Sequence, residues 1–138
     1  MHFKITTPER QVFADEVEQV TMVTKDGEIT VLPHHIPLVT LLKPGELRYK
    51  KNGEEHFLSI SGGFAEVRPD NSIVILADTA EHATEIDLTR AEAARDRAHK
   101  LMREVRNKDD VEYTTLTAQL EKALTRLKVG NKYRKLPK

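Results

Sequence analysis

The chain has no cysteine and no tryptophan, and aromatic residues make up only 5% of its 138 positions. Without cysteine there is no disulfide framework, no thiolate nucleophile and no cysteine-based metal site, and a reducing compartment is compatible. With so few aromatics the core must be mainly aliphatic. The wetted surface is large, since 32% of residues are charged against 38% hydrophobic. No apolar run approaches the roughly 18 residues of a membrane-spanning helix. The opening "MHFKITTPER" lacks the apolar centre of a signal peptide, so no export signal is expected. Catalytic signatures are missing too: there is no Gly-rich loop ending in Gly-Lys-Ser/Thr, no G-x-G-x-x-G after a strand, no H-E-x-x-H and no G-x-S-x-G. The six histidines show no metal-ligand spacing. His34 and His35 are neighbours, and in an extended loop adjacent side chains point to opposite sides. No catalytic residue and no metal ligand is assigned.

The formal net charge is zero, but it is unevenly spread. Residues 1–85 carry 8 Lys and Arg against 14 Asp and Glu, while residues 86–138 carry 14 against 8. A basic second half invites an acidic partner, which is either an outside molecule or the acidic first half. Nucleic acid is a poor candidate. Glu92, Asp96, Glu104 and Glu121 sit among the basic residues, and no aromatics interleave for base stacking. A stand-alone basic nucleic-acid-binding helical protein is kept as the alternative from another class.

The first half reads as short strands between turns. Asp26-Gly27, Asn52-Gly53 and Pro69-Asp70-Asn71 mark three hairpins, because such pairs tolerate the positive φ that tight turns demand. "PHHIP" (residues 33–37) is an irregular loop, each residue before proline being driven extended. The glycine pair in "SISGGFAEV" marks a tight bend or a close backbone approach. Turn signals at this spacing predict an antiparallel β-sandwich over residues 1–84.

The second half changes period. Leu88, Ala91, Ala94, Ala98, Leu101, Met102 and Val105 form one stripe, and Tyr113, Leu116, Leu120, Ala123, Leu124 and Leu127 form another. "RNKDD" (residues 106–110) separates them, with Asp109 and Glu112 as a capping pair. Two amphipathic helices joined this closely predict an antiparallel helical hairpin within residues 85–138. The fold class is therefore α+β, a sandwich followed by a hairpin. The first stripe is rich in alanine, so it buries little area and the hairpin must lean on something else. "VGNKYRKLPK" (residues 129–138) is basic and is expected to be a mostly disordered tail.

At the junction stands Asp87, with Arg90 three residues on. Asp87 suits a helix N-cap. Glu81 precedes the helix, and Arg97 and Arg126 lie where a hairpin brings them towards Arg90. Three converging arginines suit an anionic ligand. Spacing alone leaves both readings open, a cap with solvated arginines or a binding site.

"GEITVLPHHIPLVT", "SGGFAEVRPDN" followed by "VILAD", and "EIDLTRAEAA" occur here in that order. In these motifs the chain resembles the epsilon subunits of bacterial F-type ATP synthases, from about Phe3 to about Val129. Thr30 and His34 depart from the pattern, standing where many members have glycine. The resemblance implies a non-catalytic subunit of the central rotor. It implies a sandwich held against the gamma subunit and the c-ring, with Glu28 facing the ring and His35 near gamma. It implies a mobile hairpin that packs on the sandwich or extends towards the alpha and beta subunits and blocks ATP hydrolysis. In some members ATP holds the hairpin down through a motif of Ile or Leu, Asp, two variable residues, Arg and Ala, present here as Ile86 to Ala91. Glu81, Asp87, Arg90, Arg97 and Arg126 match the binding positions, while Lys122 and Thr115 replace basic residues of strong binders. No cofactor is then required, ATP being at most a regulatory ligand. The expected location is the cytoplasmic side of a bacterial inner membrane, reached only through the complex.

Overall fold

The computed structural model describes residues 1–105 and 111–134. Ten strands come first: β1 (His2–Thr6), β2 (Gln11–Glu16), β3 (Gln19–Thr24), β4 (Gly27–Val31), β5 (Leu38–Leu42), β6 (Gly45–Lys51), β7 (Glu54–Ile60), β8 (Gly63–Arg68), β9 (Ser72–Ala77) and β10 (Ala80–His82). A short 3-10 turn (Ala83–Glu85) leads into α1 (Leu88–Glu104), and α2 spans Val111–Arg134. The hairpin turns form where the sequence predicts them. Asn52 and Gly53 both adopt positive φ, at 53° and 80°, the combination that matches the twist of a two-residue hairpin.

The strands run in the order β10-β7-β6-β3-β5-β8-β9-β1-β2, with β4 on the flank of β3. The path folds over at a single residue pair, Thr24 with Leu42, so the sheet becomes two facing layers. Neighbours pair antiparallel except β1 and β9, where the first strand inserts beside a late one. Between the layers lie Phe3, Ile5, Val20, Met22, Leu47, Leu58, Ile73 and Ile75, each at most 1% exposed. Phe13 of β2 meets Tyr49 of β6 at 4.5 Å between ring centroids, which ties the layers together at their other edge. The glycine pair marks a close backbone approach, because a Cβ on Gly63 would stand 2.0 Å from the Leu76 carbonyl oxygen.

β7 breaks the alternation expected of a half-buried strand. Phe57, Leu58, Ser59 and Ile60 are all buried, since Leu58 and Ile60 face the sandwich core while Phe57 joins a second cluster on the outer face. That cluster contains Ala83, Ile86 and Val129, with Leu88 against it. The C-terminal part of α2 is what covers β7. The segment expected to be a tail is therefore helical as far as Arg134, and Val129 is 0% exposed. Its charge hid a buried face. Gly130 shares that face, and a Cβ there would meet Leu88 Cδ2 at 2.7 Å and Ile86 Cγ2 at 3.1 Å, so helix and linker touch because the side chain is absent. Lys132 then reaches back to the sheet. Its ammonium donates to Glu46 Oε1 at 2.9 Å and lies 4.8 Å from the centre of the Phe57 ring, and the Glu46 side chain is only 7% exposed. Burial of the carboxylate strengthens this pair relative to one in water.

The two helices pack along each other through small residues. Ala91 and Ala98 of α1 and Leu116, Ala123 and Leu127 of α2 are buried. Leu124 lies off this seam, 45% exposed, because 116, 120, 123 and 127 already fill the stripe at helical spacing. Asp109, expected to cap α2, lies outside the described residues.

The docking of α2 yields a test. Val129→Ala is expected to weaken it by about 1–3 kcal/mol, and Gly130→Val to disrupt it by forcing the helix off Ile86 and Leu88. Hydrogen exchange should accelerate across α2 in both variants while the strands around Phe3, Ile5 and Ile75 keep their protection. Unchanged exchange in α2 would show that these two residues do not hold it.

Candidate functional site

The junction of sandwich and hairpin forms a polar cleft of about 320 Å³. β10 supplies Glu81, paired in register with Ser59 of β7, and both line the cleft. α2 supplies Arg126 and Lys122, one helical turn apart, and the start of α1 supplies Arg90. Glu81 and Arg126 form a two-pronged ion pair, with Nε to Oε1 at 2.7 Å and Nη2 to Oε2 at 3.3 Å. The side chains are 30% and 17% exposed, so solvent screens this bond only in part. Arg90 and Lys122 have no acidic partner among the described residues. They are the cations that face the cleft uncompensated.

Arg97 lies one step away. It lines a neighbouring groove of about 250 Å³ with Ala94, Gln119, Lys122, Ala123 and Arg126. Lys122 and Arg126 border both hollows. Four of the five residues proposed from sequence, Glu81, Arg90, Arg97 and Arg126, thus line adjoining hollows. Asp87 lines neither. It is the N-cap of α1, accepting the Arg90 backbone N–H on Oδ1 at 3.1 Å. It acts by fixing where the helix begins and so where Arg90 stands. Thr115 sits on α2 with its hydroxyl turned to the Val111 carbonyl at 3.0 Å.

Sequence reasoning missed two members of the cleft. Arg10, from the turn between β1 and β2, and Glu85, from the 3-10 turn, both line it, 3.7 Å apart at their charged ends. Nothing local in "TPERQ" announces this, because Arg10 reaches the cleft only after β1 has inserted beside β9. Among the described residues, no group of three or more His, Cys, Asp or Glu is placed to hold a metal ion.

At another part of the sandwich, Glu28 on β4 is exposed and bonds Arg48 Nη2 at 3.3 Å. Thr30 faces Thr21, their hydroxyl oxygens 2.8 Å apart. His34 has φ of 64°, the left-handed region where glycine is unstrained, and its backbone N–H donates to Asn71 Oδ1 at 2.7 Å. His35 turns Nδ1 to the Ile36 carbonyl at 2.7 Å.

Beside this loop the sheet carries an apolar outer surface that the sequence reading did not identify. Leu41, Phe64 and Leu76 stand side by side across β5, β8 and β9, 44%, 53% and 56% exposed, with Val39 and Ile36 at 67% and 75%. Such a patch on a folded chain marks a contact surface. The available signal was parity: in β8 the small Ala65 points inward, which leaves the large Phe64 outward.

The sequence matches the families described as "ATP synthase, Delta/Epsilon chain, beta-sandwich domain" over residues 1–83 and "ATP synthase, Delta/Epsilon chain, long alpha-helix domain" over residues 84–131. It is 46% identical over 129 residues to the ATP synthase epsilon chain of Syntrophobacter fumaroxidans, covering 94% of each chain. It is 47% identical over 133 residues to that of Dehalococcoides mccartyi, covering 96% of this chain and 94% of the relative. Among solved structures, it is similar to a chain in the OSCP/F1/c-ring of Euglena gracilis mitochondrial ATP synthase, with a TM-score of 0.73, 25% identity and coverage of 88% of this chain and 77% of that one. A chain in the central stalk/c-ring of the Tetrahymena thermophila mitochondrial enzyme shares the fold, with a TM-score of 0.61 at 14% identity, covering 94% of this chain and 95% of that one.

If the Glu81–Arg126 pair joins sheet and helix, a double-mutant cycle with Glu81→Gln and Arg126→Met should return a coupling of about 1 kcal/mol in chemical denaturation. A coupling near zero would mean the pair contributes nothing to docking. Asp87→Ala should cost about 1 kcal/mol through the lost cap.

Proposed function

The chain belongs to the delta/epsilon-chain family of ATP synthase, and from that we propose how it works in the enzyme. It is an epsilon chain, a non-catalytic subunit of the central stalk, with partners in the gamma subunit, the c-ring and the alpha and beta subunits. We assign residues 1–84 to rotor binding and residues 85–138 to regulation. In this reading the outer surface around Phe64, Leu76 and Leu41, with the loop that carries His35, seats the sandwich on gamma, while Glu28 faces the ring. A charged rim beside an apolar patch is the usual anatomy of such a contact. No helix among the described residues is long and apolar enough to cross a membrane. We place the chain at the cytoplasmic face of a bacterial inner membrane, held there by the complex.

The hairpin is the regulatory element. Docked as in this structure, it is held from the alpha and beta subunits. Released, it reaches them and blocks ATP hydrolysis. ATP bound in the cleft between Arg90, Lys122 and Arg126, with Arg97 in the adjoining groove, favours the docked state. The observation that carries this reading is that cations from both helices converge with Glu81 of the sheet only while the hairpin lies on the sandwich. A ligand that binds one state alone favours it by about 2.7 kcal/mol at a hundredfold excess over its dissociation constant.

Two outcomes are expected. Added to an alpha–beta–gamma complex, the chain should lower ATP hydrolysis several-fold, and preincubation with millimolar ATP should relieve this for the native chain but not for Arg90→Ala. Inhibition that ignores ATP in both would remove the ligand from the account. Separately, Phe64→Asp should weaken association with gamma at least tenfold in a pull-down titration, and retained affinity would place the contact elsewhere.

A further inference from the structure

We propose that Arg10 of the sandwich is a direct phosphate-binding residue of the cleft, so that a bound polyphosphate is gripped from the sheet as well as from the helices. This deepens the ATP reading above and rests on it.

Pro8 restricts the backbone, the Thr7 N–H donates to the Arg10 carbonyl at 2.9 Å, and the Arg10 N–H donates to Thr7 Oγ1 at 3.3 Å. The backbone of Arg10 is therefore fixed, Arg10 lines the cleft, and its guanidinium reaches towards Glu85. Its contact with Glu85 is long, at 3.7 Å, and more than half of the side chain is exposed. An exposed pair of this length contributes little to stability, so it leaves the guanidinium available. Arg126 differs, being committed by both prongs to Glu81.

The charges in the cleft fit a chain of phosphates. Arg10, Arg90, Lys122 and Arg126 face Glu81 and Glu85, an excess of two positive charges. Guanidinium groups suit phosphate oxygens through paired, parallel N–H donors. Glu85 would repel such a ligand, and an Arg10 turned from Glu85 to phosphate exchanges a loose partner for a stronger one. Arg10 comes from the sheet, whereas Arg90, Lys122 and Arg126 come from the helices. It therefore binds a ligand jointly with them only when the hairpin is docked.

The test is calorimetric titration of the full chain with ATP and with inorganic tripolyphosphate. Arg10→Ala should weaken both about tenfold without shifting the melting temperature, and Arg10→Lys should fall between Arg10→Ala and the native chain. Glu85→Gln should strengthen both. Arg10→Ala within twofold of the native chain, beside an Arg90→Ala that no longer binds, would overturn the role of Arg10 and leave the ATP site standing. Weakening of ATP but not of tripolyphosphate would also overturn it, because the contact is then not to phosphate. A native chain that fails to bind millimolar ATP would overturn the site and this inference together.

Discussion

The seating of the last turns of α2 on the outer face of β7 is the contact on which the rest depends. Val129 fills the space between Phe57, Ala83 and Ile86, and the bare backbone of Gly130 lets the helix lie against Ile86 and Leu88. Burying one valine is worth about 1.5–3 kcal/mol, a large share of what a short helix pair gains from tertiary contact. The same contact sets the register of α2 and so the height at which Arg126 meets Glu81 and Lys132 meets Glu46. Without it β7 would expose Phe57, and the polar cleft would lose its helical wall.

The uneven charge of the sequence is resolved in part within the chain. Two cations of the basic half, Arg126 and Lys132, bond acids of the sheet, and both bonds lie where the helix docks. Among the other described cations of this half, Arg90 and Lys122 face the cleft. The excess therefore serves two roles in one segment. Paired charges fix α2 to the sandwich, and the unpaired Arg90 and Lys122 keep a positive field over a hollow that would otherwise fill with water alone.

Much of the fold was legible because turns and periods are local. Asn52-Gly53 announced its hairpin through backbone geometry, and Asp87 announced the start of α1 through its side chain. What was not legible depended on distant contacts. Residues 129–134 read as a tail because their charge outweighs one valine and one tyrosine, and only the sheet beneath shows which face is buried. The outward Phe64 was ambiguous because alternation gives a period without saying which side is in. Arg10 was invisible because its place in the cleft follows from β1 pairing with β9, across most of the sandwich. Glu81, Arg90, Arg97 and Arg126 were grouped by resemblance where spacing alone left the grouping open, and they line adjoining hollows. The structure then separates Asp87, which positions, from the side chains that line the hollow.

The thin seam between the helices acquires a purpose in this arrangement. A ligand at a hundredfold excess shifts a two-state balance by about 2.7 kcal/mol, and reversing a population from 1:99 to 99:1 takes about 5.5 kcal/mol. A hairpin docked on the sandwich through many more large apolar side chains would be harder for a ligand to shift. Ala91, Ala98 and Ala123 each bury little more than a methyl group, worth about 0.8 kcal/mol. That seam holds the helices to each other, while docking on the sandwich rests on Val129, the close approach of Gly130 to Ile86 and Leu88, and two ion pairs. A gap built from so few contacts can be crossed, and the ligand-facing cations stand beside one of those ion pairs. Ligand binding and docking share Arg126, so a change in one is felt at once in the other.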